Sequence, residues 1–150
     1  MPNPKPTAIQ AAGTTVDPNS MHGQMDVQSK TADYTVLEGD SNVVFLANKG
    51  SGSHTFTLPS AATSGFLNRN GLVYTFVLAN TATQLLITPS GTDKIVMKVS
   101  EGGASLAPAG GTGVKNTTAT HVLGDRVCLV SNGVDTWIAI EQSGTWASQP

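Results

Sequence analysis

Three histidines, ten acidic residues and one cysteine are the groups in this 150-residue chain best equipped to do chemistry. His22, His54 and His121 stand far apart, with no His-x-His or His-x-x-x-His spacing to bring two imidazoles to one metal, so each reads as an ordinary surface or strand histidine. A lone Cys128 excludes an internal disulfide and a multi-thiolate zinc cluster; set between Val127 and Leu129, it reads as a small apolar core residue. Glycoside hydrolysis needs two carboxylates on facing elements, whereas Glu38, Asp40, Asp93, Glu101, Asp125, Asp135 and Glu141 fall mostly at turns and strand ends. No Asp-x-Asp-x-Asp spacing marks a calcium loop. The stretch from Gly110 to Thr117 lacks a glycine directly before Lys115 and a helix after it, so it reads as a flexible loop and not a phosphate cradle. Gly103-Ala104-Ser105-Leu106-Ala107 lacks the closing glycine of a nucleophile elbow. The expectation is a protein that is not an enzyme, with no catalytic residues, metal or cofactor.

Composition narrows the remaining classes. With 8 basic and 10 acidic residues the formal net charge is -2, which gives no electrostatic footprint for a phosphate backbone, so no nucleic-acid partner is expected. The longest apolar runs, such as Leu72 to Ala79, are too short to span a bilayer, and no apolar run follows Met1 to Pro6; neither a signal peptide nor a membrane partner is expected. The sequon Asn116-Thr117-Thr118 therefore reads as loop sequence. Charged residues are 12% of the chain, against about 25% in ordinary soluble domains. A surface wetted by hydroxyls and amides lacks the self-repulsion that keeps proteins apart, which suits close packing in an assembly.

The elements that position these groups are strands. Residues 1–30 carry Pro2, Pro4, Pro6 and Pro18 and read as an extended N-terminal arm, with a disordered tail as the alternative, distinct from a domain at 31–150. Within it Ile9, Val16, Met21, Met25 and Val27 follow neither a helical nor a strand period, as expected of anchors for pockets elsewhere. Beyond the arm the spacing predicts strands at Asp33 to Glu38, Val43 to Ala47, His54 to Leu58, Leu72 to Ala79, Gln84 to Thr88, Lys94 to Val99, Arg126 to Ser131 and Thr136 to Glu141. Phe56 and Leu58 are expected to face inward, as are Leu85 and Ile87 together. The turn Pro89-Ser90-Gly91-Thr92-Asp93 is expected to join its flanking strands as a pair, and Asn132-Gly133 to close a hairpin. Trp137 is placed in the sheet, and Trp146 either covers an open end of the core or forms an interface with a neighbouring subunit. About eight strands at short spacing, with no convincing helix, predict an all-β fold: an antiparallel β-sandwich or jelly-roll-like barrel with an extended arm.

Phe56-Thr57-Leu58-Pro59-Ser60-Ala61, Gly71 through Leu78, Leu86-Ile87-Thr88-Pro89 with Asp93-Lys94-Ile95, and Val127-Cys128-Leu129-Val130 before Asn132-Gly133 and Thr136-Trp137 form a characteristic order. Over about four-fifths of its length the chain resembles small β-modules of bacteriophage virions, found in capsid decoration (cement) proteins and in tail fibres. With Met1 at its head and no coiled-coil, collagen-like or fibre repeat, it reads as a complete small protein, which favours decoration. The resemblance implies a viral structural protein on the outer capsid surface of the virion, assembled in the host cytoplasm, whose partners are the major capsid protein and neighbouring copies in a homotrimer. The alternative it implies is a tail-fibre or spike receptor-binding module. About thirty extended residues reach roughly 90–100 Å, enough to tie a domain to its neighbours.

Overall fold

The computed structural model describes residues 10–11, 14–15, 25–62, 71–98, 105–106, 108 and 110–149. Two short strands, β1 (Gln10–Ala11) and β2 (Thr14–Thr15), pair with each other. The main body is a sandwich of two sheets. The first has the order β10 (Ser105–Leu106), β9 (Lys94–Lys98), β13 (Thr136–Ser143), β12 (Arg126–Ser131), β7 (Val73–Leu78), β5 (Val43–Ala47), β3 (Asp26–Lys30). The second runs β14 (Trp146–Ser148), β11 (Val114–Asn116), β8 (Thr83–Thr88), β6 (Gly52–Thr57), β4 (Tyr34–Thr35). Among the described residues one 3-10 turn, Glu38–Asp40, interrupts the strands.

The all-β sandwich agrees with the sequence reading, but the pairing is mixed and not wholly antiparallel. From β3 to β8 the chain alternates between the sheets, so that β3, β5 and β7 stack in parallel in one and β4, β6 and β8 stack in parallel in the other. Three coils result, with Phe45 beside Phe76 and Phe56 beside Ile87, each pair 31 residues apart. Beyond the third coil the pattern changes: β12 adds antiparallel to β7 and β11 antiparallel to β8. The turn at Pro89 to Asp93 crosses from β8 in one sheet to β9 in the other, so it joins no hairpin; β9 instead lies parallel to β13.

Three other expectations change. The first predicted strand, Asp33 to Glu38, is reduced to Tyr34–Thr35, because Asp40 turns the chain: its Oδ2 accepts from the Leu37 amide (2.9 Å) and the Tyr34 hydroxyl (3.0 Å). Val114–Asn116, expected as loop, is the strand β11, bonded on both sides by β8 and β14. Asp26–Lys30, assigned to the arm, pairs along its whole length with β5, so the sandwich begins before residue 31.

Side-chain alternation builds the core. Each strand presents every second residue to the opposite sheet, and Phe45, Phe56, Tyr74, Phe76 and Trp137 are fully buried, as are Leu58, Leu85 and Ile87. Phe45 touches four rings, with centroids at 5.5 Å (Tyr34), 5.6 Å (Phe56), 6.5 Å (Tyr74) and 5.6 Å (Phe76). Such offset and tilted contacts add to the area the rings bury.

Candidate functional site

The polar groups that might do chemistry are committed to holding loops. Buried Asp93 accepts the Ala61 amide through Oδ2 at 2.7 Å. Buried Asp125 accepts from the Val122 amide (3.0 Å) and from Asn116 Nδ2 (3.1 Å). Asn132 Oδ1 accepts three successive amides, Val134, Asp135 and Thr136, at 2.9–3.0 Å and closes the β12–β13 turn. Cys128 is half-buried on the outer side of β12, not in the core as its flanking residues imply, because the inward positions of that strand are Val127 and Leu129. Among the described residues no three His, Cys, Asp or Glu side chains gather around a common point. His22 lies outside the described residues.

His54 is fully buried and stacks on Phe56 at 4.6 Å between centroids. Its Nε2 lies 2.6 Å from the Ala32 carbonyl, which only accepts, so Nε2 carries the proton and Nδ1 is left with no partner among the described residues. Burial holds the His54 pKa below the usual 6.5, against the opposing pull of the Ala32 carbonyl and Asp33. In the window below 6.5 the unfolded chain therefore binds a proton that the folded chain refuses, so stability is full above pH 6.5 and falls as pH drops toward the lowered folded value. We expect the melting temperature to decline from pH 7 to pH 5, and His54→Gln, which still donates to Ala32, to flatten that decline; an unchanged slope in the variant would assign it elsewhere.

A groove of about 390 Å³ runs beside this region, lined by Ser53, Thr81, Thr83, Gln84, Thr118 and His121. It is neutral and hydroxyl-rich, and His121 Nε2 is tied to the Thr81 carbonyl at 2.9 Å.

The most distinctive surface is apolar. On the outer side of the seven-stranded sheet, Val27, Val44, Leu46, Val73, Val77, Val96, Val130 and Ile138 alternate with the core positions of their strands. Val73, Val130, Ile138 and Val96 lie side by side across four strands. A register shift between Cys128 and Leu129 leaves Ile140 unpaired opposite β12 and 65% exposed, next to Ile138 at 43%. The ion pairs on this face lie toward its margins: Arg126 with Glu141 (2.5 Å) and Lys94 with Asp135 (4.0 Å). No family model matches the chain, and no curated protein matches it in sequence.

Of the residues expected to bind, Ile9, Val16 and Met21 lie outside the described residues. Met25 and Val27 are 68% and 55% exposed, Val27 within β3 on the apolar face. Trp146 is corrected as an interface residue: it is buried, its Nε1 donates to the Ser143 carbonyl at 2.8 Å, and its ring closes the core beside β11. Sequence reasoning passed over Ile138 and Ile140. The available signal was a strand apolar at both parities, Trp137 inward and Ile138 outward, since a strand with one wet face alternates.

Proposed function

We propose that this chain is a capsid decoration protein, a viral structural protein that binds the outer surface of a bacteriophage capsid and stabilises it through contacts between copies and through its N-terminal segment. The observation that carries the proposal is the outer face of the seven-stranded sheet. Aliphatic side chains line up across it in a pattern expected where a second layer covers a sheet, while the chain as a whole is sparsely charged. The order of strand-end and turn motifs that resembles phage virion modules supports the same assignment, with the major capsid protein and a homotrimer of this chain as partners. The loop-holding roles of Asp40, Asp93, Asp125 and Asn132 fit a structural protein better than an enzyme.

The test is attachment. A variant lacking residues 1–24 keeps β3 and every other described strand of the sandwich, and is expected to melt cooperatively yet fail to co-sediment with capsids that the full chain binds. Full binding by the truncated protein would remove the N-terminal segment from the proposal. Binding to a glycan array, with no capsid binding by either form, would favour the receptor-binding alternative, for which the neutral groove at Ser53 and Thr83 is the candidate locus.

A further inference from the structure

Among the described residues the stack of coils begins at an open edge. β3 lies at the end of the seven-stranded sheet, bonded to β5 on one side and to nothing among the described residues on the other. Backbone groups alternate along such a strand. The Lys30 carbonyl accepts from the Asn48 amide on the β5 side at 2.9 Å, so Asp26, Gln28 and Lys30 direct their amides and carbonyls toward β5, while Val27 and Ser29 direct theirs to the free edge. Exposed edges of this kind recruit further strands unless charge or shape forbids it.

We infer that the β3 edge is a self-recognition site that pairs two copies of this chain, antiparallel and centred on Gln28. In this register Val27 faces Ser29 of the second copy, and their outward amides and carbonyls bond to each other; the two-fold axis repeats the exchange, giving four backbone hydrogen bonds. The same register sets Asp26 opposite Lys30 of the second copy at a non-hydrogen-bonded position, where side chains approach most closely, and again the axis supplies the pair twice. Within one chain these two charges sit at opposite ends of β3. Among the described residues Asp26 accepts from Gln28 (2.7 Å), the Lys30 ammonium lies over the Tyr34 ring at 3.6 Å, and neither has an opposite charge in reach.

Other registers fit less well. Centring on Val27 or on Ser29 keeps the backbone exchange but sets Asp26 or Lys30 opposite Gln28, and a one-residue slip puts core-facing residues opposite outward ones. Exposed Met25, just before β3, continues the edge and supplies apolar area to the contact. The contact joins the sheets of two copies into one and extends the apolar face through Val27. It is independent of capsid attachment and would join one trimer to the next where copies also meet about a three-fold axis.

The test is a charge-reversal cycle on the full chain, read by sedimentation across concentration without capsids. The wild type is expected to double in mass as concentration rises. Asp26→Lys or Lys30→Asp alone replaces two attractions by two repulsions and is expected to weaken doubling by about tenfold or more. The double variant Asp26→Lys/Lys30→Asp is expected to restore it. Lys30→Asp also loses the Tyr34 contact, which the double variant does not regain, so restored doubling reports the cross-chain pair; thermal melts confirm that each variant is folded. A mass that never doubles, as when residues 1–24 fold back over the edge, overturns the inference. So does doubling that ignores the single reversals, or that the double variant fails to recover.

Discussion

Phe45→Ala is expected to destabilise the protein by about 3–5 kcal/mol, at the upper end of what a buried aromatic truncation costs. Phe45 is the middle residue of the middle coil and fully buried, and its ring is the one shared by Tyr34, Phe56, Tyr74 and Phe76. Rings contributed by both sheets and all three coils meet on it, so the space left by truncation cannot close by moving one neighbour. A urea titration should show the midpoint falling with the slope unchanged, the sign of a stability change without a change in the surface exposed. Phe45→Leu is expected to cost less than half as much. A loss below about 1 kcal/mol for Phe45→Ala would mean that the aromatic cluster does not hold the sheets together.

Gly144→Ala is the second large effect, expected at about 2–4 kcal/mol from two causes acting together. Gly144 has φ +86°, which penalises any residue with a Cβ, and a Cβ built there falls 2.3 Å from Asp125 Cγ. Asp125 is buried and holds the Val122 amide and Asn116 Nδ2, so displacing it takes the carboxylate from the Val122 amide and leaves Asn116 Nδ2 only the Thr145 carbonyl. The two causes separate in a double-mutant cycle. Asp125→Ala removes the collision but not the backbone strain, so Gly144→Ala is expected to cost clearly less in that background than in the wild type. Equal costs in both backgrounds would show that the strain acts alone.

Strand positions were legible in the sequence because burial repeats every second residue. Val43–Ala47 was placed to the residue, and Phe56, Leu58, Leu85 and Ile87 point inward as their alternation requires. Pairing was not legible. A turn such as Pro89 to Asp93 states that the chain bends, and the same chemistry serves a hairpin or a step to the facing sheet; which one forms depends on core contacts far away in sequence. β11 escaped because Val114-Lys115-Asn116 has little intrinsic strand preference and is held by partners on both sides, with Gly113 so close to the Ile87 carbonyl that a Cβ would lie 2.4 Å from it. The apolar outer face was present in the sequence as runs such as Val43-Val44-Phe45-Leu46-Ala47, whose second parity was absorbed into the core expectation.

The winding of the first half of the chain also dictates where the molecule breathes. Among the described residues β3 and β4 each bond to a single neighbouring strand, whereas β5, β6, β7 and β8 are bonded on both sides. Amide hydrogens of the initial coil are therefore expected to exchange with solvent before those of β5 to β8, in one local opening that leaves the later coils closed. Each such event uncovers the rim of β5, so whatever protein surface engages the leading turn of the chain also quiets this motion and lends its protection to the layer beneath.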